Sequence, residues 1–327
     1  NTGSQPLVVL ANVRVHAVCV DRQSGKIVHD IELFSRDNPQ WVHKLNSYAS
    51  PTPILADGKL YAHIGAVGTA CLDTKTAKVL WTNMDPELWV MHENGPGGSP
   101  VLWQDKLIVN LDGSDNQFIA AIDTTTGKMA WKTKRTGEMD KKPQLKKACA
   151  TPLLLNLGDR TEVLSPAANW LYCYDPETGK ELWKLSYEKL GFSNVARPIL
   201  GDGMIYLLTC FMRSKLMGIR YDGSKKPETV WEVERAMPNQ PSPLLVGGEI
   251  YTIDDRGIAS CVDAKTGEVY WNERIGGNYA GSPIFADGKI YIGSREGKTI
   301  VIEPSKDGLK KIAENEFPAA LMASPVA

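Results

Sequence analysis

The chain has 327 residues, with 37 Lys and Arg against 38 Asp and Glu and a formal net charge of -1. That balance gives no electrostatic reason to expect nucleic acid as a partner, and no stretch nears the roughly 20 apolar residues that a membrane-spanning helix needs. With 29 Gly, 20 Pro and aromatic residues spread evenly, the composition suits many short strands joined by tight turns. The sequence starts at Asn1, with no Met and no apolar leader, so a processed or trimmed chain is expected, with any export signal lost from view.

In chain order, one pattern returns: Asp, two residues, Thr or Ser, Gly, and a Trp eight residues after the Asp. The first copy is Asp21-Arg22-Gln23-Ser24-Gly25, with His29 at the Trp position. Asp73 with Trp81, Asp123 with Trp131 and Asp175 with Trp183 follow. Asp222 with Trp231 is a degenerate copy, and Asp263 with Trp271 is regular again. The last copy has Glu303 and Lys311 in the two places. The anchors at 21, 73, 123, 175, 222, 263 and 303 lie 40 to 52 residues apart, which makes seven units.

A second marker precedes each unit: a small residue, Ser or Thr, then Pro. It reads Ala49-Ser50-Pro51, Gly98-Ser99-Pro100, Ala150-Thr151-Pro152, Gly281-Ser282-Pro283 and Ala323-Ser324-Pro325. Looser copies are Ala196-Arg197-Pro198 and Pro241-Ser242-Pro243. Between the markers each unit holds an apolar run, a hairpin turn such as Asp57-Gly58 or Asp287-Gly288, and an alternating strand. The Asp-x-x-Thr-Gly loop follows, and then the strand that carries Trp. Four antiparallel strands at this period make a propeller blade. The fold expected is all-β: one domain over 1–327, a seven-bladed β-propeller of four-stranded antiparallel blades. The alternative is eight blades, one of them incomplete. A strand from 323–327 is expected to close the first blade. Trp81, Trp131, Trp183, Trp231 and Trp271 are expected to wedge consecutive blades together.

These two markers resemble the PQQ-type, or quinoprotein-like, propeller repeat. That family includes quinoprotein alcohol dehydrogenases and the outer-membrane assembly lipoprotein that scaffolds barrel insertion. Residues 46–65 and 92–103 also resemble propeller proteins common in planctomycetes. The resemblance implies an extracytoplasmic, periplasmic location. An enzyme of the family would hold PQQ with Ca²⁺ on the propeller axis, and the alcohol dehydrogenases add a vicinal disulfide. This chain has no Cys-Cys pair, and no catalytic or metal-ligand motif can be carried over. The function expected is therefore a non-enzymatic interaction or scaffold domain, monomeric, with a protein partner and no cofactor. The alternative is a PQQ-dependent oxidoreductase or small-molecule binder that uses the central channel.

Cys19, Cys71, Cys173 and Cys261 each stand two residues before an anchor Asp, a position that calls for a small buried side chain. The five His show no metal-ligand spacing. Loops entering the first strands form one channel mouth, so the candidate ligand residues are Asn46, Tyr48, His92, Asn94, Arg197, Asn278 and Tyr279. Arg197 stands out because it takes the slot that the markers give to Ser in five units and Thr in one.

Overall fold

The structure, a computed structural model, describes residues 7–211 and 213–326. Six four-stranded antiparallel sheets follow one another along the chain, each a simple meander. They span 54–83, 101–134, 153–186, 199–233, 244–274 and 284–316 and are blades 2 to 7. Ahead of them lies a two-stranded hairpin, Asn12–Val20 with Ile27–Asp37, and a short ladder of Leu7–Val8 with Val42–His43. The Asp21 turn sits at the hairpin tip, so the hairpin is the third and fourth strand of blade 1. The chain is a seven-bladed propeller, but blade 1 has two meander strands rather than four among the described residues.

Each Asp-x-x-Thr turn is held from inside. Asp73 Oδ1 accepts from Thr76 N at 2.7 Å and Thr76 Oγ1 at 2.8 Å; Asp123 does the same with Thr126. This local bonding lets Asp and Thr close a turn that a strand would otherwise run through. Just before each turn the third and fourth strands shift register by one residue. The shift sets Trp opposite a small partner: Cys71 faces Trp81, Ala121 faces Trp131 and Cys173 faces Trp183. Cys71, Cys173 and Cys261 are buried there as free thiols. In blade 7 the position opposite Val301 belongs to Ala313, not to Lys311, because the turn is two residues longer.

The indoles do not simply fill a gap; they lie on the next blade's turn. Trp81 Nε1 donates to Thr124 O at 2.9 Å, and a Cβ on Gly127 would sit 2.5 Å from its ring. Trp131 donates to Pro176 O at 3.1 Å and covers Gly179, where a Cβ would sit 2.4 Å away. Trp231 covers Gly267 in the same way, and Trp271 Nε1 donates to Ser305 O at 2.9 Å. Trp183 meets the degenerate Asp222 turn, finds no partner for its Nε1, and packs edge-on against Tyr221 at 4.8 Å. At three of these interfaces, Gly127, Gly179 and Gly267 leave the room that the Trp of the repeat before occupies.

The interface between blades 1 and 2 lacks this lock. His29 replaces Trp and is exposed, and Ala77 replaces Gly. The upper half still packs, with Val13, Leu33 and Phe34 against Ala62, Ala70 and Leu72. The lower half does not: Ile27 and Val28 are exposed, and so is Cys19, against the expectation of a buried position.

The expected closing strand is also not formed over 323–326, and Ala327 lies outside the described residues. In blades 2 to 7 the first strand begins at the residue after Pro, at Ile54, Val101, Leu153, Ile199, Leu244 and Ile284. No strand pairing or hydrogen bond joins blade 7 to the first hairpin among the described residues.

Candidate partner-binding face

In a meander blade the turns after the first and third strands emerge on one face. The loops after the second and fourth emerge on the other. The turn face repeats the same Asp-Gly and Asp-x-x-Thr-Gly geometry. The loop face carries the longer connections, including those that hold all seven candidate ligand residues.

Around the inner rim of the loop face runs a chain of hydrogen bonds that links the blades. The backbone N–H before each first strand donates to a hydroxyl in the next unit: Thr52 to Ser99 at 2.8 Å, Ser99 to Thr151 at 3.0 Å, Arg197 to Ser242 at 3.0 Å, Ser242 to Ser282 at 2.9 Å, Ser282 to Ser324 at 2.9 Å. The first member is Thr52, so the marker of that unit is Pro51-Thr52-Pro53, two residues beyond Ala49-Ser50-Pro51. The slot therefore holds four Ser and two Thr. The chain breaks at Arg197, which offers the Thr151 N–H no hydroxyl. Arg197 itself is exposed, and among the described residues its guanidinium makes no ion pair or hydrogen bond.

Five of the other six candidates have their side chains held by the fold. Asn46 Nδ2 donates to Asn94 O at 2.7 Å and to Pro96 O at 2.9 Å, and its Oδ1 accepts from Ser47 N at 2.9 Å. Asn94 serves through its backbone oxygen. The Tyr48 hydroxyl donates to Gln40 O. Asn278 Nδ2 donates to Glu296 at 2.8 Å. Tyr279 is not at the mouth: it is 1% exposed and packs between blades 6 and 7 with Tyr251 and Ile292. Aromatic character drew it inward, since a buried ring removes far more apolar area from water than an Asn or Ser would.

His92 forms a pair that its sequence position did not reveal. Its Nε2 lies 3.1 Å from Cys149 Sγ, while its Nδ1 is buried without a partner. Burial pulls the imidazole down to about 4 and pushes the thiol up to about 12, so near neutral pH both are uncharged. With the thiol as donor, the pair is a neutral hydrogen bond rather than a thiolate nucleophile. It lines a small cleft with Gln40, Tyr48 and Asp112, with a cavity volume of about 40 Å³. Asp112 is held by Arg135 side-on, at 2.9 Å to Nε and 2.8 Å to Nη2, with both side chains fully buried. Nothing in the 23-residue separation of the two announces that pair. A second, more open cleft of about 490 Å³ lies between blades 5 and 6, lined by Phe211, Arg213, Glu234, Asn239, Asp254, Asp255 and Arg256.

The donor set does not fit a Ca²⁺-quinone pair. Among the described residues no three His, Cys, Asp or Glu side chains converge to hold a metal ion, and the rim presents hydroxyls already used between blades.

A family model described as "Outer membrane protein assembly factor BamB" matches residues 157–326, more than half of the chain. The chain belongs to this family. Outer membrane protein assembly factor BamB of Moranella endobia (strain PCIT) is 23% identical over 253 residues, which cover 76% of this chain and 61% of that protein. The chain thus spans less than two thirds of that relative's length. The crystal structure of BamB from Moraxella catarrhalis has the same fold, with a TM-score of 0.65 and 14% identity over 98% of this chain and 94% of that one. Quinohemoprotein alcohol dehydrogenase from Comamonas testosteroni shares the fold at a TM-score of 0.59 and 14% identity, over 89% of this chain and 61% of that one.

Proposed function

We propose that this chain acts without catalysis, as a protein-binding propeller in the bacterial cell envelope. It works on the periplasmic side as a single domain, with its partner on the loop face around Arg197. The family supports an assembly scaffold, because the relatives that match are named as assembly factors. The observation that carries the placement is Arg197. It alone among seven equivalent rim positions is charged, it breaks the hydroxyl chain, and its guanidinium has no partner among the described residues. A fold gains nothing from that substitution, whereas a surface that must orient a partner gains a directional charge-assisted donor. The reading of a quinone enzyme rests on likeness of fold alone, to a neighbour 14% identical.

The test is site-specific photo-crosslinking in cells. A crosslinker at exposed Arg235 on the loop face is expected to trap a discrete partner; one at exposed Lys75 on the turn face is not. Arg197→Glu should abolish the Arg235 product. Equal labelling from both faces, or none from the loop face, would refute the reading.

A further inference from the structure

Arg295 is a second arginine on the loop face, in the loop that follows the second strand of blade 7. It is half-buried, and among the described residues its guanidinium makes one hydrogen bond: Nη2 to Gln240 Oε1, at a long 3.2 Å. Its Nε is buried with no partner, and among the described residues no carboxylate lies within ion-pair distance. Arg135 shows how this fold treats a structural arginine. There Nε and Nη2 grip both oxygens of Asp112, Nη1 donates to the Tyr174 hydroxyl at 3.1 Å, and Nη2 also reaches Asn110. Burying a guanidinium without its counter-charge is costly, and leaving its Nε–H unmatched adds to the cost. Neighbouring acids are occupied elsewhere: Glu296 with Asn278 and Asp255 with Asn239.

Gln240, which holds Arg295, lies two residues before Ser242, whose hydroxyl holds the backbone of Arg197. The two arginines therefore flank one short segment, 239–242, from neighbouring blades. We propose that Arg295 and Arg197 form a two-arginine clamp on either side of 239–242 that takes the carboxylates of an acidic segment of the protein partner. This rests on the loop-face reading above. On binding, a carboxylate displaces Gln240 and takes the Nε–Nη2 edge of Arg295 side-on, the geometry Arg135 already shows with Asp112. A neutral amide oxygen is a weak placeholder for a carboxylate, so the exchange favours the acid.

The probe is a fluorescein-labelled peptide rich in Asp and Glu, with its Asn and Gln counterpart and inorganic phosphate as controls, titrated against the whole chain. The acidic peptide should bind at least about tenfold more tightly than its amide counterpart, with affinity falling as salt rises. Arg295→Gln should weaken it roughly tenfold, and Arg295→Lys should restore less than half of that loss, because Lys keeps the charge but not the fork. Adding Arg197→Gln should cost less than the product of the two single effects. Arg295→Gln should leave the Tm unchanged or raised, since it removes an unmatched buried donor. The clamp is overturned if Arg295→Gln binds like the wild type, if Arg295→Lys restores binding fully, if phosphate competes as well as the acidic peptide, or if the Tm falls. If crosslinking from Arg235 persists while Arg295→Gln has no effect on peptide binding, only the clamp falls; if the crosslink itself is absent, the loop-face reading falls with it.

Discussion

The interface between blades 3 and 4 and that between blades 1 and 2 come from the same repeat, yet they are held differently. In the first, Trp131 lies flat on Gly179 and donates to Pro176 O. In the second, His29 and Ala77 replace both halves of the lock, and only the upper part of the hairpin packs. The lesson is that the repeat's two most visible residues act across a blade boundary, not within a blade. At Trp81, Trp131 and Trp231 the ring lies where a Cβ on the next unit's Gly would sit, whereas Trp183, facing the degenerate turn, packs on Tyr221 instead.

The sharpest way to break this comparison is Trp131→Ala. It should cost about 3–5 kcal/mol by chemical denaturation, whereas His29→Ala, at an exposed position, should stay within about 0.5 kcal/mol. Equal losses would mean that the indole lock does not hold the blades. Gly179→Ala comes next. Its φ of +71° and a Cβ 2.4 Å from the Trp131 ring should cost about 2 kcal/mol, and Trp131→Ala in the same chain should relieve part of it. Arg197→Ser runs the other way: it restores the missing acceptor for Thr151 N–H and should stabilise by about 1 kcal/mol while removing the partner contact. A loss of stability there would show that Arg197 is a structural residue.

The smallest effect expected is in acid. Backbone N–H donation from Thr76 holds the Asp73 carboxyl below its usual 3.8, and Thr126 does the same for Asp123. A carboxyl whose folded pKa is lowered stabilises the fold fully above its unfolded pKa and loses that contribution as pH falls through the folded one. The Tm should therefore drop between about pH 5 and pH 2, and Asp123→Asn should flatten that slope slightly. A variant with an unchanged slope would mean the turn aspartates do not report folding.

Much of the fold was legible because blade packing repeats: Asp, Thr, Gly and Trp recur where the same turn and the same indole recur. Register was less legible. The first marker was off by two residues because Ala49-Ser50-Pro51 and Pro51-Thr52-Pro53 overlap, and only the strand ladder decides which hydroxyl joins the rim. Arg197 could be found from sequence because it departs from a repeated slot. Tyr279, Asn46 and Asn278 could not be judged, because a loop position does not say whether a side chain meets the solvent or a neighbouring backbone.

By itself, the sequence determined the β-propeller, its seven units and the odd arginine on its rim, since each leaves a periodic trace or interrupts one. Only the tertiary structure decided that blade 1 has half its meander strands among the described residues, that His92 meets Cys149, and that Arg295 stands unmatched beside Gln240. Those facts join residues 55 or more positions apart or depend on a missing neighbour, and contacts at such separation are set by how the ring of blades stacks, not by any local pattern.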